Sequence, residues 1–237
     1  SRDFALVKTG ASNMMMKWKR GNSESYVNLF SFDNAGTFTS TKSQRVTVSS
    51  YGYTDLIKGP GNLYISAEQG YKRRDNVNKW GLLVSTLSTD GKDDVHVVDT
   101  ERMTQNVTDN TTSYYRSPSI TALNDSIYAI GYRGYSYDGF IETFKGETSG
   151  KITRLKSYEY DVNESNYNKL VRVDSNTVAM IYRGFKGQWG GHVLTFDIAT
   201  DGSSITEVAS KLLHNSGDFF DTDLIHLRDN MLSLIHI

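Results

Sequence analysis

Short runs in which apolar and polar residues alternate extend along most of the chain, separated by turns of Gly, Asn, Asp and Ser. Runs such as GLLVSTL, HVLTFDI and KITRLKSYEY approximate the two-residue period of half-buried β-strands. The turn residues between them tolerate the positive φ angles of short hairpins. No helical periodicity separates the runs, so the pattern predicts an all-β chain.

The strands and turns recur as a unit of roughly 50 to 60 residues. Four tight turns align on a glycine, at Gly36, Gly91, Gly150 and Gly202. Each turn joins two predicted strands, and in three copies a second predicted hairpin precedes them. Each complete unit therefore has four strands, which we letter A to D.

Tandem four-stranded units without helices are typical of β-propeller blades. A β-sandwich also has short strands, but it gives no reason for the sequence to repeat. We therefore expect an all-β β-propeller of four-stranded antiparallel blades, with strand A nearest the ring axis and about four blades present. Both ends of the chain interrupt a blade at strand B, which predicts an incomplete ring. The approximate units are 1–50 (partial blade), 51–112, 113–165 and 166–217 (blades) and 218–237 (partial blade).

The clearest copies are AIGYRGYSYDGFIETF at 129–144 and AMIYRGFKGQWGGHVLTF at 179–196. With the GKI that follows the first copy, they resemble tandem propeller repeats of predicted secreted and cell-surface proteins of bacteria and archaea, which read YAIAYxG, DGxIxT and GxI. The match is good over 113–210 and degenerate over 1–112. The resemblance implies the propeller fold, an extracellular or cell-surface location and an adhesive or scaffolding role. It implies no catalytic activity.

Charge and composition narrow the choice of partner. The 26 Lys and Arg residues nearly balance the 27 Asp and Glu residues, for a formal net charge of -1, which gives no electrostatic reason to expect nucleic acid. No apolar run reaches the roughly 20 residues of a membrane span. The chain lacks cysteine, which excludes disulfides and thiolate metal sites.

The end of the chain has two interpretations. LSLIHI, at 232–237, is also the translation of a transposase-type sequencing adapter. The same residues align with TVAMI as a native strand B. Both interpretations stay open from the sequence.

The connections between strands differ in chemistry between the two faces of the predicted ring. Antiparallel order puts the B–C and D–A connections on one face, where they are long and rich in aromatic and basic residues. Loops on a rigid ring often carry binding, and rigid aromatic rings supply contact area at low entropic cost. We therefore predict a non-catalytic binding or adhesion module for a glycan or a surface protein. Its candidate ligand-binding residues are Trp18, Arg20, Tyr71, Arg73, Arg74, Trp80, Tyr135, Tyr137, Phe185 and Trp189.

Other interpretations compete with this one. Trp80 and Trp189 can wedge neighbouring blades together, and Arg133 and Arg183 can serve structural hydrogen bonds to loop carbonyls. The propeller can also be a structural spacer without a small ligand. A sialidase-like glycosidase is a further alternative, because SFDNAGTF at 31–38 resembles the Asp-box turn of those enzymes, although their catalytic residues are not assignable here. The sequence indicates no cofactor, and its histidines lack metal-ligand spacing.

Overall fold

The computed structural model describes residues 4–20, 24–40, 43–47, 50–74, 77–90, 94–103, 116–215, 223–228 and 231–235. Within these ranges the regular secondary structure consists of β-strands and a single short 3-10 turn at Tyr135–Tyr137. The same ranges contain no helix with the length and apolarity of a transmembrane span. The prediction of an all-β chain is confirmed.

Four antiparallel sheets follow one another along the chain, and a hairpin follows the fourth. Blade 1 contains β1 (Phe4–Gly10), β2 (Asn13–Arg20), β3 (Glu24–Phe32), β4 (Phe38–Ser40) and β5 (Gln44–Thr47). Blade 2 contains β6 (Ser50–Lys58), β7 (Leu63–Arg74), β8 (Val77–Thr89) and β9 (Val95–Arg102). Blade 3 contains β10 (Arg116–Ala122), β11 (Ile127–Arg133), β12 (Gly139–Gly146) and β13 (Ile152–Asp161). Blade 4 contains β14 (Ser165–Arg172), β15 (Thr177–Phe185), β16 (Trp189–Ile198) and β17 (Ile205–His214), and the hairpin is β18 (Asp223–Arg228) with β19 (Met231–Ile235).

The first strand of each sheet lies innermost. Strand β1 contacts β6, β6 contacts β10, β10 contacts β14, and β14 contacts β18. The rings of Tyr53 on β6 and Tyr167 on β14 meet edge to face with centroids 6.4 Å apart, although blades 2 and 4 are not neighbours in sequence. The sheets are therefore arranged as propeller blades around a common axis.

Blade 1 corrects one detail of the sequence prediction. The segment FALVKTG is β1, which occupies the strand A position, and not strand B as predicted. The segment NMMMKWKR is strand B itself, because β2 pairs with β1 on one side and with β3 on the other. Its backbone N–H and C=O groups are satisfied by both neighbours, so it does not form the predicted B–C loop.

The core lies between the blades. Apolar residues of strands A, B and C from adjacent sheets form clusters that contain Ile65, Tyr128 and Phe144 between blades 2 and 3, and Met180 and Phe196 between blades 3 and 4. The predicted core segments 127–130 and 178–181 are fully buried, which confirms them. Burial of such strands is the main favourable contribution to stability.

A second contact between blades lies further from the axis and is repeated. Thr86 on strand C of blade 2 donates its hydroxyl to the carbonyl oxygen of Gly150, in the C–D turn of blade 3, at 2.6 Å. Thr143 of blade 3 makes the same bond to Gly202, in the C–D turn of blade 4, also at 2.6 Å. The turn glycine of one blade thus rests on the preceding blade.

Candidate ligand-binding face

The B–C and D–A connections share one side of the propeller, which we call the loop face. In blades 3 and 4 its described connections are residues 134–138, 162–164 and 186–188. Each lies between strands whose ends are fixed by sheet pairing and by the inter-blade core. The side chains of these connections are therefore presented on a rigid frame.

Arg133 and Tyr137 form the first notable pair on this face. Arg133 ends β11 and is buried, and its guanidinium carbon lies 4.2 Å from the centroid of the Tyr137 ring. Tyr137 has a φ of +77, in the left-handed region that non-glycine residues rarely adopt. Such outliers persist only where the surroundings enforce them, and they cluster at ligand-contact positions. The ring is held outward by its backbone and by the cation behind it.

The same arrangement recurs one blade later. The guanidinium carbon of Arg183 lies 5.7 Å from the centroid of the Trp189 ring, and Phe185 meets that ring edge to face at 5.8 Å. Tyr137 and Trp189 are each 41% exposed, whereas neighbouring aromatic residues such as Tyr132 and Tyr182 are buried. The repeated Tyr-Arg-Gly phrase, at 132–134 and 182–184, therefore places an arginine behind an exposed ring in both blades.

Arg133 also connects blade 3 to blade 4. It donates from Nη1 to Asn166 Oδ1 at 2.6 Å, and Asn166 donates from Nδ2 to Glu164 Oε1 at 2.6 Å. A buried guanidinium bound in this way has a structural role. It positions the Tyr137 ring and leaves that ring, rather than itself, available to a ligand.

Asp161 organises the D–A connection between blades 3 and 4. Its buried carboxylate accepts hydrogen bonds from the backbone N–H of Asn163 at 2.9 Å and of Phe185 at 3.1 Å, and from the Tyr182 hydroxyl at 3.0 Å. The backbone passes so close here that a Cβ on Gly184 would collide with the carbonyl oxygen of Glu164. The last residue of the Tyr-Arg-Gly phrase must therefore be glycine in blade 4.

An acidic group lies beside this network. Burial, together with the negative charges of Glu159 and Asp161 and a hydrogen bond with Glu159, raises the pKa of Asp138 to about 6. Like charges in a partly desolvated site disfavour ionisation of both groups. Asp138 therefore carries a proton over part of the mildly acidic pH range.

Not all predicted site residues belong to loops. Trp18 lies on β2, where its ring stacks on Tyr26 at 5.2 Å and its Nε1 donates to Asn28 Oδ1 at 2.6 Å. The segments YKRR and VNKW, expected to belong to a B–C connection, instead pair with each other in β7 and β8 as far as Arg74 and Val77. Continued pairing satisfies backbone groups that a loop would leave to solvent. Tyr71, Arg73 and Arg74 are thus strand residues of β7, and Trp80 is a strand residue of β8.

Some predicted side chains are outside the described part of the structure. The backbone of Arg20 ends β2, opposite Glu24, and Tyr135 begins the 3-10 turn. Their side chains, and those of Tyr71, Arg73, Arg74 and Trp80, lie outside the described residues. Of the predicted residues whose side chains are described on the loop face, Phe185 and Trp189 contact each other, and Tyr137 lies in the B–C connection of the preceding blade.

Two features of the loop face are absent from the sequence-based set. Asp161 has no repeated counterpart, so no pattern marks it. Tyr53 and Tyr167 lie in D–A segments that were expected to bind, but their meeting at the axis depends on irregular pairing near the start of β6 and β14. Aromatic residues in the D–A segments were the available signal.

The Asp-box-like turn is built as a local structural motif. Asp33 lies between β3 and β4, and its Oδ1 accepts the backbone N–H of Ala35 at 2.9 Å and of Thr37 at 2.8 Å. These backbone hydrogen bonds, first that of Thr37, lower the pKa of the Asp33 carboxyl. The turn is exposed, and its carboxylate is used in fixing the turn. Among the described residues no group of three or more His, Cys, Asp or Glu is placed to hold a metal ion.

A cleft of about 850 Å³ lies on the opposite side, between the A–B turns of blades 2 and 3 and the C–D turn of blade 3. Lys58 lines it and lies 4.4 Å from the centroid of the Tyr64 ring. Burial lowers the pKa of the Lys58 ammonium. The aromatic ring in the cleft lining, Tyr128, is buried, so the cleft offers no exposed ring for stacking.

Comparisons with known proteins support the fold. No protein-family model and no curated protein sequence matches the chain. Sqt1 from Saccharomyces cerevisiae is similar with a TM-score of 0.52 and 9% identity over 89% of this chain and 48% of that one. A protein of unknown function from Dyadobacter fermentans has a TM-score of 0.58 and 12% identity over 98% and 74% of the two chains. A mutant of NanB sialidase from Streptococcus pneumoniae has a TM-score of 0.55 and 12% identity over 90% and 32%.

These similarities confirm the β-propeller architecture and, at such low identity, show the fold alone. The chain spans about half of the Sqt1 chain, at 48% of its length. The same fold thus carries proteins of different kinds. Function must be argued from the side chains of the loop face.

Proposed function

We propose that this propeller is a non-catalytic, carbohydrate-binding module of an extracellular or cell-surface protein. Its loop face stacks sugar rings on Tyr137 and Trp189. The observation that carries the proposal is the repeated pair of an arginine and an exposed aromatic ring, Arg133 with Tyr137 and Arg183 with Trp189. The location rests on the resemblance of the repeats to secreted and cell-surface proteins.

Exposed aromatic rings on a rigid frame are suited to this task. The C–H groups on one face of a sugar ring are apolar and pack on an aromatic face, while the hydroxyls remain free for hydrogen bonds. A cation behind the ring contributes about 0.5–1 kcal/mol at an exposed site and more when desolvated, which restrains the ring. A restrained ring loses less entropy on binding, so the two platforms are pre-organised.

Polar groups border the platforms and can orient a sugar. Lys186 lies in the B–C connection of blade 4 and bonds the carbonyl oxygen of Tyr160 at 2.9 Å and Glu207 Oε2 at 2.9 Å. The carbonyl of Gln188, in the same connection, bonds His192 Nε2 at 2.9 Å. These contacts fix the connection that presents Trp189, so that its backbone and side-chain groups meet hydroxyls at defined positions.

The test is a glycan array with the full chain, followed by titration calorimetry with the strongest ligand. We expect the Tyr137→Ala, Trp189→Ala double variant to lose at least tenfold in affinity, because removal of a stacked ring typically costs more than 1 kcal/mol. Phe38→Ala is the matched control, since Phe38 is an exposed aromatic residue on β4, away from the loop face. Its affinity should equal that of the parent chain.

Three results would contradict the proposal. Full affinity in the double variant, with its melting temperature unchanged, would remove the platforms from the binding site. Absence of any bound glycan with the parent chain would favour the structural spacer. Release of sugar from a glycoside by the parent chain would instead indicate a glycosidase.

A further inference from the structure

The outer contact between blades consists of three parts, which we call the turn dock. A threonine on strand C and an extra residue on strand D form the receiving side, and the C–D turn glycine of the next blade rests on them. In blade 2 the receiving residues are Thr86 and Val98, and Gly150 is the glycine. In blade 3 they are Thr143 and Leu155, which receive Gly202.

A β-bulge creates the receiving side each time. Thr86 pairs with Asp99 while the next residue, Leu87, pairs with Val97, so that Val98 is the extra residue. In blade 3, Thr143 pairs with Lys156 and Phe144 pairs with Arg154, which leaves Leu155 extra. Bulges redirect a side chain and are built features of a sheet rather than defects. Here the redirected side chain contacts the turn of the next blade.

The seated turn must contain glycine. Gly150 has a φ of +93 and Gly202 a φ of +75. A Cβ on Gly202 would lie 2.7 Å from Leu155 Cδ1, and one on Gly150 would collide with Val98 Cγ1. Both the backbone conformation and the close approach therefore exclude a side chain.

Blade 4 has the same receiving side. Thr195 pairs with Ala209 and Phe196 pairs with Glu207, so Val208 is the extra residue of an identical bulge. Val208 is 64% exposed, compared with 44% for Val98 and 38% for Leu155 in the two occupied docks. Among the glycines of the described ranges, none has Val208 as a near neighbour. The third dock is thus formed, and no glycine turn of the described ranges rests on it.

We propose that the third dock, Thr195 with Val208, binds the glycine turn of a further C–D β-hairpin of the same repeat. The β18–β19 pair supports this occupant, because β18 contacts β14 and β15 as the inner strands of one blade contact the preceding blade. In the described part of the chain β19 pairs with β18 alone. A hairpin that adds to β19 through backbone hydrogen bonds carries its turn over the third dock. Because Gly150 and Gly202 occupy the other two docks, we expect the partner to be a pair of antiparallel strands whose turn contains a glycine with positive φ.

The experiment supplies this hairpin within the chain. A copy of residues 186–214 is fused after residue 237, once with its glycine turn intact and once with the copied turn glycine replaced by valine. Because the chain has no cysteine, Val208→Cys introduces a single thiol whose rate of alkylation by iodoacetamide reports its exposure. Val162→Cys, at another exposed apolar residue between β13 and β14, is the matched control.

We expect the intact fusion to slow alkylation at position 208 at least tenfold, and the valine-turn fusion to label as fast as the unfused chain. Thr195→Val in the intact fusion should restore much of the rate, since the turn carbonyl then loses its donor. Labelling at position 162 should be equal in the unfused chain, the intact fusion and the valine-turn fusion. Equal slowing by both fusions, or slowing by neither, would overturn the proposal. So would an unfused chain that is already protected and is dimeric by light scattering, because a second copy would then occupy the dock.

Discussion

The buried ion pair between blades 1 and 2 allows a demanding test of how this propeller is held together. Lys17 on β2 and Glu68 on β7 are both 1% exposed, with Nζ and Oε1 2.9 Å apart. Lys17 also donates to Ser66 Oγ at 3.0 Å, and Ser25 donates to Glu68. Lys17→Met removes the cation and retains most of the side-chain volume.

The expected loss follows from the carboxylate that remains. With Lys17 replaced, Glu68 is a buried carboxylate that has lost its cation, and breaking one partner of a buried pair typically costs about 3–5 kcal/mol. That is a large share of the roughly 5–15 kcal/mol by which folded proteins are stable. Replacing both partners, as Lys17→Met with Glu68→Leu, should cost far less, because an apolar pair of similar volume has no charge to desolvate.

Urea unfolding followed by tryptophan fluorescence measures these free energies. Lys145→Met is the control, since its contact with Glu147 is 3.7 Å long and both side chains are exposed. Exposed pairs contribute less than about 1 kcal/mol, so this variant should unfold close to the parent chain. The reasoning would be refuted if Lys17→Met lost less than 1 kcal/mol, or if the double variant lost as much as the single one.

Three other substitutions test contacts at single positions. Gly202→Val should lower the melting temperature by several degrees more than Gly36→Val. Both glycines have positive φ, but only at Gly202 would the new Cβ collide with Leu155. Equal losses in calorimetry would contradict the docking contact. Asp161→Ala should cost about 2–5 kcal/mol in urea unfolding, because a buried tyrosine hydroxyl and backbone N–H groups lose their acceptor; a loss under 1 kcal/mol would count against its organising role. Asp138→Asn should change the pH dependence of stability. The folded pKa of Asp138 is about 6, above its ordinary 3.8, so the folded chain binds more protons between these values and stability falls as pH rises from about 4 to 6. The advantage of the variant over the parent should therefore grow across that window and level off above it, and a pH-independent difference would contradict the raised pKa.

Blades 3 and 4 were the most predictable parts of the fold. Their copies begin at Ala129 and Ala179, and regular alternation with tight turns places strands B and C where β11, β12, β15 and β16 are found. In blade 1 the apolar β1 resembles strand B of the later copies, whereas β2 carries the basic residues Lys17, Lys19 and Arg20. Alignment of the pattern alone therefore assigns FALVKTG to strand B instead of strand A. The correct assignment depends on how β1 and β2 pair, which the pattern does not show.

The candidate site was less predictable than the fold. Exposure of Tyr137 and Trp189 agrees with their predicted place on the loop face, but the cations behind them depend on side-chain directions that strand patterns do not encode. The basic segment that contains Lys17 shows this limit most clearly. A run of Met, Lys and Trp suggests a solvated binding loop, whereas pairing on both sides of β2 turns Lys17 toward Glu68 in the next blade. Long-range partners of this kind have no local signature.

The contact between Tyr53 and Tyr167 has a consequence for folding cooperativity. In an array whose units touch only their neighbours, stability is close to a sum of nearest-neighbour contributions, and units can unfold one after another. Here a ring of blade 2 meets a ring of blade 4 at the axis, and an aromatic pair of this type contributes about 0.5–1.5 kcal/mol beyond its buried area. Loss of blade 3 would break that contact as well as its own two interfaces, which favours the unfolding of blades 2 to 4 as one unit.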